Sequence, residues 1–309
     1  MKYRLLGKTG LKVSALSFGA SSLGSVFKSI DEKEGIRTVH AALDAGINLI
    51  DVSPYYGLTK AETVLGKALI NIPRDRYLLS TKAGRYGEDE FDFSAQRITA
   101  SVEESLRRLN VDYVDFLQLH DIEFGSLSQI IQESLPALQK LKEQGKIRYA
   151  GITGYPLRIF NTVLKSADVD VILSYCRYAL NDSSLAELLP QLKARGVGLM
   201  NASPLSMGLL SRQGAPSWHP ADDVIKKACR QAAQYCDSHG LDLSKLAIQY
   251  ALANEEIPTT LVGTANPNHL AKNIAWLEEP VDQEALSEVL HILQPIHNRS
   301  WVVGRPENN

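Results

Sequence analysis

Residues 48–57 read Asn-Leu-Ile-Asp-Val-Ser-Pro-Tyr-Tyr-Gly, an apolar run that passes into a polar loop. The first half is apolar around one acid, Asp51, which is typical of a short buried strand. The second half contains serine, proline and glycine, which is typical of a loop. A carboxylate buried at a strand end costs several kcal/mol unless a positive group pairs with it. We therefore expect a cation close to Asp51, with Tyr56 in the loop beside it.

The next two strand-like runs each end in a residue that can carry a positive charge. Residues 77–82 end in Lys82, and residues 114–120 end in His120. In an α/β barrel, the carboxyl ends of the strands all face one mouth, where catalytic residues lie. The sequence therefore predicts that these two side chains converge with Asp51 and Tyr56.

Eight strand-helix units follow a hairpin that the pattern predicts near residues 1–16. The predicted core strands cover residues 15–20, 48–53, 77–83, 111–119, 147–153, 169–175, 197–202 and 259–263. Strict alternation of strands and helices indicates a parallel sheet. Eight units in a chain of 309 residues fit a closed (β/α)8 TIM barrel. An open dinucleotide-binding sheet would carry a G-x-G-x-x-G motif after its first strand, whereas residues 19–24 read Gly-Ala-Ser-Ser-Leu-Gly.

Helical periodicity fills the segments between these strands and continues beyond the last of them. The predicted helices cover residues 31–45, 61–69, 94–109, 127–143, 157–166, 183–194, 222–238, 244–253, 268–276 and 283–293. Ser94 is the expected N-cap of the third helix. The α/β barrel therefore carries extra C-terminal helices, and we expect residues 1–309 to form a single domain.

Composition excludes several classes of protein. The net charge of −2 and the pI of about 6.4 give no electrostatic footprint for nucleic acid or an anionic membrane. The sequence has no apolar run of about 18 residues and no signal peptide, so we expect no membrane partner. The three cysteines are odd in number and lack metal-ligand spacing. We expect a cytoplasmic protein without a metal, and the oligomeric state stays open.

The four polar residues suggest one kind of chemistry. A tyrosine hydroxyl has a pKa near 10, and a neighbouring lysine lowers that pKa because it favours the phenolate. A buried aspartate keeps the lysine charged, and a histidine can orient a substrate oxygen. Such a set moves protons without a metal or a nucleophile. It suits hydride transfer at a carbonyl, in which a cofactor supplies or accepts the hydride.

Several motifs identify the family. Residues 10–19, the loop from Asp51 to Gly57, Thr81-Lys82 and Leu119-His120-Asp121 resemble the aldo-keto reductase family. The resemblance covers essentially the whole chain and implies a catalytic tetrad of Asp51, Tyr56, Lys82 and His120. Residues 92–97, 120–127, 172–176 and 202–210 resemble those members that oxidise the anomeric carbon of an aldose with NAD. Their substrates include L-galactose, L-fucose and D-arabinose, and their product is a lactone.

The same resemblance implies a nicotinamide cofactor site. The implied cofactor-binding residues are Thr153, Ser174, Ser203, Leu205, Gly263, Thr264, His269 and Asn273. Gly154 and Ala202 replace an asparagine and a tyrosine that many members use to hold the nicotinamide. Members that prefer NADP place Lys or Arg where this chain has Gly263 and His269, so we expect NAD rather than NADP. Lys272 leaves that expectation open, since its side chain could turn towards the phosphate.

The substrate is expected to be a small sugar that contacts Tyr56, His120, Asp121 and Trp218. Glu123 could bind sugar hydroxyls or cap a helix, and Trp218 could equally be plain packing. Two other functions remain open at this point. One is a broad NADPH-dependent aldehyde or ketone reductase, and the other is a non-catalytic barrel that binds nicotinamide as a sensor.

Overall fold

The predicted N-terminal hairpin is present, and it closes the amino end of the barrel. The structure is a computed structural model that describes residues 1–26 and 29–309. Strands β1 (Tyr3–Leu5) and β2 (Lys12–Ser14) pair antiparallel. Leu6 and Val13, both buried, belong to a cluster with Leu49 and Phe116. The hairpin therefore seals one end of the barrel with apolar side chains and leaves function to the other end.

Eight parallel strands form the closed barrel. They are β3 (Leu16–Gly19), β4 (Leu49–Asp51), β5 (Leu78–Ala83), β6 (Val114–Leu119), β7 (Ile147–Gly154), β8 (Val171–Tyr175), β9 (Gly198–Ala202) and β10 (Thr259–Gly263). Each pairs with its neighbour in chain order, and β10 pairs with both β9 and β3. The predicted fold class is confirmed, and each observed strand lies within or within one residue of its predicted range.

The helices surround the barrel. Their bounds are α1 (Glu32–Asp44), α2 (Lys60–Leu69), α3 (Ala95–Leu109), α4 (Leu127–Gln129), α5 (Leu135–Glu143), α6 (Leu157–Ser166), α7 (Leu189–Arg195), α8 (Asp223–Ser238), α9 (Leu243–Ala253), α10 (Pro267–Ala275) and α11 (Gln283–Leu293). Ser94 caps α3 as predicted, because its side chain accepts a hydrogen bond from the backbone N–H of Arg97. No helix in the two described ranges is long and apolar enough to cross a membrane.

Two predicted helices are less regular than their periodicity indicates. Residues 127–143 are interrupted by a π-helical segment, Ile130–Ser134, between α4 and α5. Pro136 follows this segment at the start of α5, and proline both lacks an N–H and clashes with the carbonyl one turn earlier. The wider π turn accommodates that clash. Similarly, residues 184–188 form a 3-10 turn, and Pro190 lies in the first turn of α7, where its missing N–H is tolerated.

The strand register determines which residues meet at the carboxyl end. Asp51 pairs with Gly19 on one side and Ser80 on the other. Lys82 pairs with Gln118. Closure of the barrel brings Gly263 beside Gly19. The residues predicted for catalysis and those predicted for the cofactor therefore share one rim.

Candidate active site

Asp51 and Lys82 form a buried ion pair at the ends of β4 and β5. The ammonium Nζ of Lys82 lies 2.5 Å from Oδ2 of Asp51, and the lysine is 1% exposed. The other carboxylate oxygen accepts a hydrogen bond of 2.8 Å from Ser80, whose hydroxyl accepts in turn from the Gln118 amide. Each carboxylate oxygen of Asp51 thus has a donor, which is the condition under which a buried charge is tolerated. The cation that the sequence predicts beside Asp51 is Lys82.

Tyr56 lies on the other side of Lys82. Nζ of Lys82 donates to the Tyr56 hydroxyl at 3.4 Å and to the Val52 carbonyl at 3.0 Å. Burial raises the pKa of Tyr56 to about 12, while Lys82 acts to lower it. The lysine therefore lowers this pKa as expected, but the net shift is upward, because withdrawal from water outweighs the neighbouring charge. Tyr56 is a protonated phenol at neutral pH in the protein alone.

His120 faces the edge of Tyr56. The two ring centroids are 5.6 Å apart and the rings are nearly perpendicular, at 89°. Nδ1 of His120 lies 2.9 Å from the hydroxyl of Ser53, a residue of the loop after β4. Burial lowers the pKa of His120 to about 3, and the charges of Lys82 and Arg85 act in the same direction. His120 is therefore a neutral imidazole that can hydrogen-bond a substrate oxygen.

Asp121 follows His120 and pairs with an arginine. Nη1 of Arg85 lies 2.6 Å from Oδ2 of Asp121, and the guanidinium lies 3.9 Å from the ring centroid of Tyr55. Burial disfavours the charged carboxylate, but the neighbouring His120 and Arg85 outweigh it and hold the pKa of Asp121 below its usual range. Asp121 is thus an anionic acceptor at the mouth.

Arg85 and Ser53 are absent from the residues that the sequence singles out. The signal for Arg85 was present, because Asp121 at a strand end requires a cation by the reasoning applied to Asp51. Arg85 lies three residues after Lys82, beyond the same strand. The same reasoning does not identify Ser53, because a neutral serine in a loop does not need a charged partner.

The four residues of the predicted tetrad therefore meet in one place. A buried carboxylate fixes an ammonium, which contacts a phenol, and the phenol lies against a neutral imidazole. This arrangement can move one proton to or from a substrate oxygen. Among the described residues, no group of three or more His, Cys, Asp or Glu could hold a metal ion.

Comparison with known families identifies the family of the chain. Residues 15–294 match the model of the Aldo/keto reductase family. The chain belongs to the aldo-keto reductase family. The resemblance that the tetrad motifs suggest is confirmed by this match.

Relatives of this aldo-keto reductase include sugar dehydrogenases. L-galactose dehydrogenase from Arabidopsis thaliana is 53% identical over 317 residues, which covers 100% of this chain and 99% of that protein. D-arabinose 1-dehydrogenase from Saccharomyces cerevisiae is 36% identical over 329 residues, and the match covers 95% of each chain. Among solved structures, an aldo-keto reductase from Bacillus halodurans in its holo form has a TM-score of 0.79 at 29% identity, with 98% of each chain covered.

Thr153 and Ser174, both predicted cofactor contacts, are buried and already hydrogen-bonded. The Thr153 hydroxyl accepts from the backbone N–H of Asp121 at 2.9 Å and lies 3.2 Å from Oδ1 of the same residue. The Ser174 hydroxyl donates to the Gly154 carbonyl at 3.0 Å. Both hydroxyls thus hold the ends of β6, β7 and β8 in place. Their contact with a cofactor stays a prediction.

Gly154 has a packing reason for lacking a side chain. A Cβ at this position would lie 2.2 Å from Cδ1 of Ile159 and 2.6 Å from Oε2 of Glu123. Glu123 is fully buried, and its other oxygen accepts from the backbone N–H of Tyr155 at 3.0 Å. Burial raises the pKa of Glu123 well above its usual range. Glu123 therefore supports the loop after β7, and its contact with a sugar stays a prediction.

Glycines lie at the carboxyl ends of both β3 and β10. A Cβ on Gly263 would lie 3.0 Å from the carbonyl oxygen of Gly19, and 3.4 Å from the hydroxyls of Ser21 and Ser22. This bare backbone, bordered by hydroxyls, fits the sugar-phosphate part of a dinucleotide. Of the other predicted contacts, Ser203 and Leu205 follow β9, Thr264 follows β10, and His269 and Asn273 lie on α10.

Lys272, the nearby cation, pairs with a carboxylate on the neighbouring helix cap. Its Nζ lies 2.9 Å from Oδ2 of Asp242 and 5.0 Å from the ring centroid of Trp276. Asp242 caps α9, which leads back to the barrel. Lys272 thus has an anionic partner in this structure, and its absence from a phosphate site stays a prediction.

Trp218, the remaining predicted substrate contact, is 53% exposed and begins a series of aromatic contacts. Its ring lies 6.3 Å from His219, which lies 5.0 Å from Trp301. Trp301 is buried and stacks on Tyr155 at 4.7 Å. His219 is held structurally, because its two ring nitrogens bond to Ser206 and Ala221. Contact of Trp218 with a substrate stays a prediction.

Proposed function

We propose that this aldo-keto reductase oxidises the anomeric carbon of an aldose with NAD and gives the lactone. The single observation that carries the proposal is the contact series from Asp51 through Lys82 to Tyr56, with His120 against the phenol. Tyr56 takes the proton of the anomeric hydroxyl, and Lys82 stabilises the phenolate that accepts it. When bound, the nicotinamide cofactor accepts the hydride from the same carbon.

The choice of an aldose is supported by the relatives of the chain and by the residues at the mouth of the barrel. L-galactose dehydrogenase and D-arabinose 1-dehydrogenase are among the proteins to which the chain is similar over nearly its whole length. Asp121 adds a charged acceptor next to His120, which suits a substrate with several hydroxyls. L-galactose is the first sugar to test, and L-fucose and D-arabinose follow.

The choice of NAD is supported by the charges near the adenosine end. An additional 2′-phosphate would require cations with good geometry. Gly263 offers no side chain, and Lys272 is paired with Asp242. His269 is exposed, and a neutral imidazole is a weak partner for a phosphate. These features disfavour the alternative of an NADPH-dependent aldehyde reductase.

The complete tetrad argues against a purely sensory role. A sensor needs a nicotinamide site, whereas it does not need an ammonium paired with a buried carboxylate and placed against a phenol. The buried pair is costly to maintain, so its presence beside Tyr56 favours catalysis.

The experiment that tests this function is a panel of NAD reduction. The purified protein is mixed with NAD and, separately, with L-galactose, L-fucose, D-arabinose, D-galactose or pyridoxal, and NADH absorbance is recorded. We expect the highest kcat/KM with one of the first three sugars. Absence of NADH formation with all of the sugars, together with turnover of aldehydes and NADPH, would contradict the proposal.

A further inference from the structure

The hydrogen bonds of Ser53 determine the tautomer of His120. The hydroxyl oxygen of Ser53 accepts the backbone N–H of Tyr55 at 3.1 Å, and it lies 2.9 Å from Nδ1 of His120. Ser53 is fully buried, so its single hydroxyl hydrogen needs an acceptor. Of these two partners, only Nδ1 can accept. The neutral ring therefore carries its hydrogen on Nε2, which is the nitrogen on the side of Asp121.

The carboxylate of Asp121 is fixed through both of its oxygens. Oδ2 accepts from Arg85 at 2.6 Å, and Oδ1 lies 3.2 Å from the hydroxyl of Thr153. The backbone at Asp121 has a φ of 53°, an uncommon value for a residue with a side chain, and its N–H is bonded to Thr153. A carboxylate offers about four lone-pair sites, so Asp121 can accept further hydrogen bonds.

One donor and one acceptor therefore stand side by side at the mouth. Nε2 of His120 and Oδ2 of Asp121 are 3.7 Å apart, and the two side chains are 5% and 6% exposed. Two oxygens on adjacent carbons of a sugar are separated by roughly 3 Å, about one hydrogen-bond length. An oxygen on the reacting carbon can accept from Nε2 while the hydroxyl on the next carbon donates to Asp121.

We infer that Asp121, held in place by Arg85, binds the hydroxyl on the carbon next to the anomeric one, so that the enzyme selects aldoses with a C2 hydroxyl. This inference rests on the proposed aldose oxidation and specifies which hydroxyl that reaction requires. Arg85 is a positioning residue, because it acts through Asp121. Ser53 acts likewise through His120.

The test uses two pairs of sugars that differ only at C2. D-arabinose is compared with 2-deoxy-D-ribose, and L-galactose with 2-deoxy-L-galactose, in NAD reduction. A hydrogen bond to a charged group corresponds to roughly a 10- to 100-fold change in kcat/KM. We expect the parent sugar of each pair to be favoured by at least about tenfold.

Variants show whether Asp121 and Arg85 cause that preference. Asp121→Asn keeps the shape of the side chain, and we expect it to reduce the preference for the parent sugar at least about fivefold. Arg85→Met should do the same, and Arg85→Lys should restore part of the preference. Because the measured quantity is the ratio between two sugars in one protein, a general loss of activity or stability cancels.

Arg74→Met is the matched control. Arg74 also lies 2.6 Å from a buried aspartate, Asp115, and over tyrosine rings, but at the amino ends of β5 and β6. We expect this variant to leave the sugar ratio unchanged.

Three outcomes would overturn the inference. The first is equal kcat/KM for both members of each pair in the unaltered enzyme, which leaves the proposed function intact. The second is a folded Asp121→Asn protein with an unchanged ratio. The third is oxidation of none of the four sugars with NAD or NADP, which would also overturn the proposed function.

Discussion

Replacing Lys82 with methionine separates the structural role of this residue from its catalytic role. The ammonium makes three contacts, with Asp51 at 2.5 Å, the Val52 carbonyl at 3.0 Å and Tyr56 at 3.4 Å. Asp51 is 4% exposed, so the substitution leaves a buried carboxylate without its cation. Breaking such a pair typically costs about 3–5 kcal/mol in the free energy of unfolding. We expect a loss of that size for Lys82→Met.

The catalytic loss should be larger than the stability loss explains. Lys82 is the group that lowers the pKa of Tyr56 against the effect of burial, so its removal makes the phenolate still harder to form. Loss of a positioned proton-transfer group typically costs about 10²–10⁴ in rate. In the double variant Lys82→Met/Asp51→Asn the unpaired charge is gone, and we expect stability to recover in part while turnover does not.

Urea unfolding and NAD-dependent sugar oxidation measure the two effects on the same preparations. Arg108→Met is the matched control, because Arg108 pairs at 2.6 Å with the fully buried Glu62. That variant should lose stability and keep its kcat. A folded Lys82→Met protein with stability and turnover near those of the parent would refute the reasoning, as would an equal loss of turnover in the control.

Three further predictions follow from the site. Tyr56→Phe should reduce turnover by about 10²–10⁴ while NAD binding, followed by protein fluorescence, is retained; near-normal turnover would remove Tyr56 from the mechanism. Because oxidation needs the deprotonated phenol and its pKa lies at about 12 in the protein alone, kcat/KM should rise with pH without a plateau from about pH 6 to about pH 9.5. A flat profile with chemistry shown to be rate-limiting would count against a tyrosine base. His269→Arg should raise kcat/KM with NADP at least about tenfold and leave that with NAD nearly unchanged; Gly263→Lys is the less clean variant, since its Cβ would press on the Gly19 carbonyl. If kcat/KM with NADP does not rise in His269→Arg, the 2′-phosphate of NADP does not lie beside residue 269.

The fold could be predicted because its periodicity and its turn residues agree. The pattern of apolar runs bounded by glycine or by polar loops predicts the bounds of β10 without error. It predicts the bounds of the other core strands to within a few residues. The two irregular helices were not foreseen, although Pro136 and Pro190 were visible in the sequence. Their effect depends on the turn that each proline joins, which helical periodicity alone does not describe.

The tetrad could be predicted because a buried charge requires a partner. A buried Asp51 requires a positively charged partner, and the next predicted strand along the chain ends in Lys82. The net pKa of Tyr56 could not be predicted, because it depends on how far the ring is withdrawn from water, and spacing carries no such information. The roles of Ser53 and Arg85 likewise depend on contacts between loops. The prediction of one domain over residues 1–309 stays a prediction.

The most direct test of the account is kcat/KM for L-galactose, measured with NAD and with NADP on the unaltered protein. A site that lacks two charge-assisted hydrogen bonds to the 2′-phosphate should bind NADP roughly 10²–10⁴ more weakly than a site that has them. We therefore predict lactone formation with a preference for NAD of at least about tenfold. Equal values for the two cofactors, a preference for NADP, or no oxidation of L-galactose or the related sugars would contradict it.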